Sequence, residues 1–298
     1  MSILIGVDAG GTRTVAVVSD GAREMGRASG RAGAVRPGRA LSSAGAIAAT
    51  VRAALIPASL LRGDILVVGA AGVGREEEQG QLRDALRLEA LAERVVVTTD
   101  LAIALRDAFE GGPGIVLLAG TGSVAVARLA DGSVRRQGGH GWQVGDEGSG
   151  YAIARAGLVA AGRAHDGREA PTLLLERLID ATRSRSFDDM VRWSVSAGTG
   201  EVAGLAPAVL TAAEEGDPVA KGIVEGAGRD LARHAERLVE YFEGRGRIQV
   251  ACGGGLLDHA LYRQAVLDAL EPVKRVTPSA DHLDPVRGAL AMAAELRT

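Results

Sequence analysis

Apolar residues repeat with period two at the start of the chain, then with the longer helical period, and the alternation recurs along its first third. Residues 3–7 and 13–19 read as two short strands folded into a hairpin around "DAGGTR", with "DG" at 20–21 as a second turn signal. Residues 41–56, "LSSAGAIAATVRAALI", carry helical periodicity, and "DILVVGAAG" (64–72) reads as a short buried strand. An amphipathic helix follows over 76–91, then a buried strand over 94–100 that ends on Asp100, then the helical "LAIALRDAF". This strand–helix alternation predicts an α/β layering of helices on a sheet. "GGPG" at 111–114 is the clearest linker-like break.

The pattern then restarts. "LLAGTGSVAVARLADG" (117–132) repeats the order of "VDAGGTRTVAVVSDG" (7–21): apolar strand, Ala-Gly turn with a threonine, "VAV" strand, Asp-Gly turn. An internal duplication into two similar halves accounts for this better than chance. The copies differ at one position, Asp8 in the first against Leu118 in the second, so only one turn carries a carboxylate. Beyond residue 150 the pattern is mostly helical, with helices predicted over 151–162, 172–184 and 201–215. A further helix starts on Asp217 as N-cap with Pro218 at its first position. "RIQVACGGGLL" returns to a strand with a triple glycine, and "DPVRGALAMAAELR" closes the chain as a helix.

Composition narrows the chemistry. The chain has 298 residues, 47% hydrophobic and 24% charged, with net charge −3, which fits a globular protein of two lobes and no general nucleic-acid surface. A single cysteine, Cys252, excludes an intrachain disulfide and a multi-cysteine zinc site. The N-terminus lacks a basic segment followed by a long apolar one, and no apolar run approaches the roughly 18–20 residues of a membrane span. A cytoplasmic protein with no membrane partner is expected.

Three nucleotide and hydrolase signatures fail. There is no G-x-x-x-x-G-K-[ST] and no G-x-S-x-G. "GTGSVA" (120–125) fits a dinucleotide fingerprint on paper, but "VAVARL" behind it alternates like a strand where that fingerprint needs a helix. The glycine turns remain, either as plain hairpin punctuation or as loops whose backbone N–H groups approach a phosphate. Likewise Asp100 reads as a helix N-cap or a chemical group, and "GDEGSG" (145–150) as a solvated turn or a binding loop.

Four segments taken in order resemble the actin-like ATPase superfamily shared by actin, the Hsp70 chaperones and sugar kinases. "GVDAGGTRT" resembles its first phosphate motif, "LLAGTGS" its second, "VACGGGLL" its adenosine motif and "TTDLAIAL" its strand-end aspartate segment. "GWQVGDEGSGYAIAR" (141–155) is similar to the signature of N-acetylglucosamine kinases within the BadF/BadG/BcrA/BcrD-type ATPases, and the likeness runs over essentially the whole chain. It implies a two-lobed actin-like (ribonuclease H-like) fold of duplicated sheets flanked by helices, with a cleft between. The expected divisions are an N-terminal lobe over 1–112, a C-terminal lobe over 113–284, and a helix over 285–298 packing back on the first lobe.

The same resemblance implies an enzyme: an ATP-dependent kinase acting on a hydroxyl of an amino sugar such as N-acetylglucosamine, N-acetylmuramic acid or glucosamine. Gly10, Gly11 and Thr12, with Thr121, Gly122 and Ser123, would bind the ATP phosphates. Asp8 would hold Mg²⁺ through water, and Gly253, Gly254 and Gly255 would admit the adenosine. Asp100 would be the base and a sugar ligand, joined at the sugar by Gly139, His140, Gly141 and Asp146. Trp142 and Tyr151 stand nearby in a chain only 3% aromatic, as a sugar platform or as core. A homodimer is implied. Two alternatives are an ATPase activator of a 2-hydroxyacyl-CoA dehydratase, which holds an iron–sulfur cluster between subunits, and a non-catalytic sugar sensor. Relatives that phosphorylate N-acetylglucosamine carry an Asn in the loop after the first hairpin, whereas "ASGRAGAVRPGRA" (28–40) has none.

Overall fold

A computed structural model describes residues 2–36, 38–279 and 282–297. It divides into two compact units, one of residues 1–112 with 283–298 and one of residues 113–282, so the boundary falls in the "GGPG" break.

Unit 1 is a five-stranded sheet in the order β3-β2-β1-β4-β5. Its strands are β1 (Leu4–Ala9), β2 (Arg13–Ser19), β3 (Glu24–Arg31), β4 (Gly63–Ala70) and β5 (Ala92–Thr99). β1, β2 and β3 form an antiparallel meander, whereas β1, β4 and β5 run parallel and are joined through α1 (Ala40–Leu55) and α2 (Glu76–Leu88). The strand period of two sorts the core into two layers. Ile5, Val7, Ala9, Leu66, Val68 and Ala70 face α1 and α2, while Leu4, Ile65 and Val67 face α3 (Asp100–Phe109) and α11 (Pro285–Glu295). Glycine makes that second layer thin: a Cβ on Gly288 of α11 would lie 1.9 Å from the carbonyl oxygen of Ile103 in α3.

Unit 2 repeats the plan. Its sheet order is β10-β9-β6-β7-β8, from β6 (Gly114–Ala119), β7 (Ser123–Arg128), β8 (Val134–Gly138), β9 (Ile248–Gly253) and β10 (Val276–Pro278). Again a three-strand antiparallel meander adjoins two parallel strands. β1 and β6 share one burial pattern position by position, with Asp8 and Leu118 at the same half-buried place. The insertion between β8 and β9 carries α4 (Gly150–His165), α5 (Leu174–Ala181), α6 (Phe187–Ser196), α7 (Thr199–Ala203), α8 (Ala206–Glu214) and α9 (Pro218–Val239), and α10 (Ala260–Leu270) follows β9. Asp217 caps α9 by accepting the Ala220 N–H at 2.8 Å. The short β8, α6, α7 and α10 carry too little periodicity to be read from sequence, and the predicted helix over 201–215 is two helices broken at Gly204 and Leu205.

Candidate active site

In unit 1 the candidate residues Asp8 and Asp100 collect at the carboxyl ends of the parallel strands, where loops leave the sheet. Asp8 is next to last in β1, in register with Gly69 of β4, which pairs with Thr98 of β5. Asp100 follows β5 directly as the first residue of α3. Gly69 is required between them, because a Cβ there would sit 2.3 Å from Cδ1 of Ile103. The hairpin turn is held by the Gly10 N–H bonding the Arg13 carbonyl at 2.9 Å, and the Gly10 carbonyl accepts from Gly33 and Ala34 at 3.2 and 3.1 Å. Gly11 and Thr12 face solvent.

Asp8 is half-buried, and its carboxyl is pushed up to about 7, first by burial and next by the charge of Asp100. Arg13 opposes the shift and Asp284 adds to it. Thr99, not Asp100, caps α3: its Oγ1 accepts the Ala102 N–H at 3.1 Å. The capping reading of Asp100 is thereby replaced, and its Oδ1 accepts the neighbouring Leu101 N–H at 2.9 Å. Asp284 was missed in the sequence. Its "DP" pair signals the start of α11, with Pro285 in the first turn, and nothing in the pattern says that its charge reaches Asp8.

In unit 2 the second turn, Gly120–Gly122, is closed by the Gly120 N–H bonding the Gly122 carbonyl at 2.9 Å. The first N–H groups of α4 bond back onto it, Gly150 to the Gly120 carbonyl at 2.8 Å and Tyr151 to that of Thr121 at 3.2 Å. Gly120, Thr121 and Gly122 keep partial exposure. Ser123 does not. It is buried and its hydroxyl donates to the Glu147 carbonyl at 2.6 Å, so it braces the turn and has no donor to spare for phosphate. The triple glycine lies alongside: Gly254, at φ +98°, approaches the Ala119 carbonyl so closely that a Cβ would be 2.5 Å from it, and the Leu256 N–H bonds the same oxygen at 3.1 Å. Gly255 is exposed beside open space.

"GDEGSG" is a joint in which every residue after the first has work to do. The Asp146 carboxylate, 8% exposed, accepts from the Ser123 and Gly141 N–H groups, tying the second turn to the 139–141 loop. Burial raises its pKa despite these bonds. A carboxylate has about four acceptor positions, and two are used here, so direct contact with sugar would have to use the others. Gly148, at φ +78°, packs on α9 and α10, and its carbonyl accepts from the buried Tyr262 hydroxyl. Ser149 caps α4 by accepting the Ala152 N–H at 3.1 Å. Gly139, His140 and Gly141 form an exposed loop in which both glycines have positive φ, with the Arg136 guanidinium donating to the Gly138 and Gly139 carbonyls. Trp142 is 44% exposed with its ring 5.1 Å from that of Tyr151, which rests on the core.

Two sheets of one topology, each with a glycine turn at the same strand end, define the actin-like sugar-kinase fold. A glucokinase of Streptomyces griseus solved with glucose and AMPPNP has the same fold, with TM-score 0.61 and 19% identity over 99% of each chain. The chain belongs to the BadF/BadG/BcrA/BcrD ATPase family, whose model matches residues 5–293. It is 30% identical over 200 residues to the N-acetylmuramic acid/N-acetylglucosamine kinase of Clostridium acetobutylicum, a match that spans 66% of this chain and 65% of that one. A Chromobacterium violaceum protein provisionally named an N-acetylglucosamine kinase superposes with TM-score 0.81 at 30% identity, over 98% of this chain and 99% of that one. No helix among the described residues is long and apolar enough to cross a membrane.

Proposed function

We propose that the protein transfers the γ-phosphoryl group of ATP to a hydroxyl of an amino sugar, with N-acetylglucosamine, N-acetylmuramic acid and glucosamine as the substrates to test first. The observation that carries this reading is the pair Asp8 and Asp100 at the ends of β1 and β5, one on each side of β4 in the sheet of unit 1 and close enough for one to raise the pKa of the other. Gly11 and Thr12 offer backbone and hydroxyl donors to phosphate in unit 1, with Gly10, whose own N–H closes the turn on the Arg13 carbonyl, leaving room for close approach, and Thr121 and Gly122 offer donors in unit 2. Gly253–Gly255 admit the adenosine next to that second turn. Phosphoryl transfer asks little covalent chemistry of a protein, so positioned donors and charge carry most of the rate.

The residues fit Mg²⁺. Asp8 is an acidic group strained by burial and by neighbouring carboxylates, a strain that a divalent cation relieves, and Mg²⁺ sites of this kind use one or two carboxylates with water and substrate phosphates. When bound, the ion would neutralise charge on the transferring phosphate. Asp100 accepts the proton of the attacking hydroxyl. Gly139, His140 and Gly141 line the sugar, with Asp146 holding their loop. The protein works as a homodimer in the cytoplasm.

The dehydratase-activator alternative needs accessible thiolates for its cluster. Cys252 is buried in β9, and burial pushes its thiol up to about 11, which disfavours it as a ligand. The non-catalytic sensor leaves the Asp8–Asp100 strain without a use. Coupled ADP release across a panel of sugars, with glycerol and nucleosides as controls, tests the proposal. An amino or N-acetylated sugar should give the highest kcat/KM, and preference for a control would overturn it.

A further inference from the structure

His234 lies on α9 at the back of the sugar loop, with its side chain 11% exposed. α9 packs on β7 and β8, and the imidazole fits against Gly138, where a Cβ would lie 2.9 Å from the ring. The ring's Nε2 is buried and has no hydrogen-bond partner among the described residues. Oε2 of Glu147, a half-exposed side chain, stands 3.6 Å from it. That is just beyond hydrogen-bond length, between a buried ring and a carboxylate with room to move. The Glu147 backbone is meanwhile fixed through its carbonyl to Ser123. The groups whose charge the imidazole feels are Glu147, Asp230 one turn back on α9, and His140 in the loop itself. Burial lowers its pKa, which favours the neutral ring with an N–H to donate.

We propose that His234 is a positioning residue for the sugar loop, its Nε2–H drawing in the Glu147 carboxylate and so holding residues 139–147 against α9. The pair acts on sugar binding through the loop and touches no substrate. The inference rests on the assignment of that loop to the sugar, and the experiment separates the two.

His234→Ala, His234→Gln, Glu147→Gln and the double variant His234→Ala/Glu147→Gln are compared in steady-state kinetics and in hydrogen exchange of the 138–147 segment. A glutamine amide can stand in for Nε2–H. His234→Ala should raise the sugar KM about 10-fold, the size of a hydrogen bond to a charged group, with kcat and the ATP KM within about 2-fold. His234→Gln should recover most of that loss, and the double variant should be no worse than His234→Ala, since the two residues share one interaction. Exchange of 138–147 should quicken in His234→Ala and not in His234→Gln, with or without sugar. Additive effects, glutamine no better than alanine, or equal losses for sugar and ATP would overturn the pairing. Faster exchange with an unchanged sugar KM would support the pairing and overturn the assignment of the loop to the sugar.

Discussion

Replacing Asp8 by Asn separates folding from function at one position. In the folded protein the Asp8 carboxyl titrates near 7, against 3.8 for the free side chain. Its folded pKa is raised, so the protonated group is tolerated and the ionised one is strained. The penalty is absent below about pH 4, grows as pH rises from 4 to 7, and is complete above 7. A shift of this size corresponds to about 4 kcal/mol, and partial solvent access to the half-buried side chain reduces it to about 2 kcal/mol. Asparagine keeps the shape without the charge, so Asp8→Asn should be the more stable protein at pH 8.5 by about 4 °C in Tm, and by only about 1 °C at pH 4.5, where about a quarter of the penalty is present. Mg²⁺ with ADP should raise the Tm of the wild type at pH 8.5 and have little effect on the variant, which has lost the carboxylate that the ion needs. Thermal melts at the two pH values, with and without Mg²⁺ and ADP, make the measurement. A variant as stable as the wild type at both pH values, or one that keeps the full Mg²⁺-ADP shift, would refute the reasoning.

Two other changes test separate parts of the structure. Asp100→Asn removes the proton acceptor, so kcat should fall at least ~10²-fold while nucleotide binding by fluorescence titration persists; near-normal turnover would remove Asp100 from the chemistry and make Asp146 the next residue to test. Tyr262→Phe leaves the Gly148 carbonyl without its buried donor, and urea denaturation should show a loss of about 1–2 kcal/mol, with no loss if the hydroxyl were dispensable.

Much of the fold was legible because the strands near the two turns are short, apolar and bounded by glycine. The duplication could be read from "VDAGGTRTVAVVSDG" and "LLAGTGSVAVARLADG" alone, and it corresponds to two sheets of one strand order. β3 and β8 were not legible, since exposed edge strands such as "EMGRASGR" and "VRRQG" bury few residues and so lack a clean alternation. At the site, the resemblance put forward Asp8, Asp100 and the glycines, and no sequence pattern tells which polar atoms the fold itself consumes. Ser123 looked like a phosphate donor until its hydroxyl was seen on the Glu147 carbonyl. "GDEGSG" read as a solvated turn or a binding loop, and nothing in it announced that the Ser123 and Gly141 N–H groups act on the Asp146 carboxylate. Asp284 and Tyr262 act across long sequence separations, and no local pattern announces such contacts.

The most direct test of the central claim is ³¹P NMR of the wild-type protein incubated with ATP, Mg²⁺ and each amino sugar in turn. The account predicts that one amino or N-acetylated sugar gives a sugar monophosphate resonance growing in step with ADP. ADP accompanied only by inorganic phosphate, for every amino sugar tried, would contradict it.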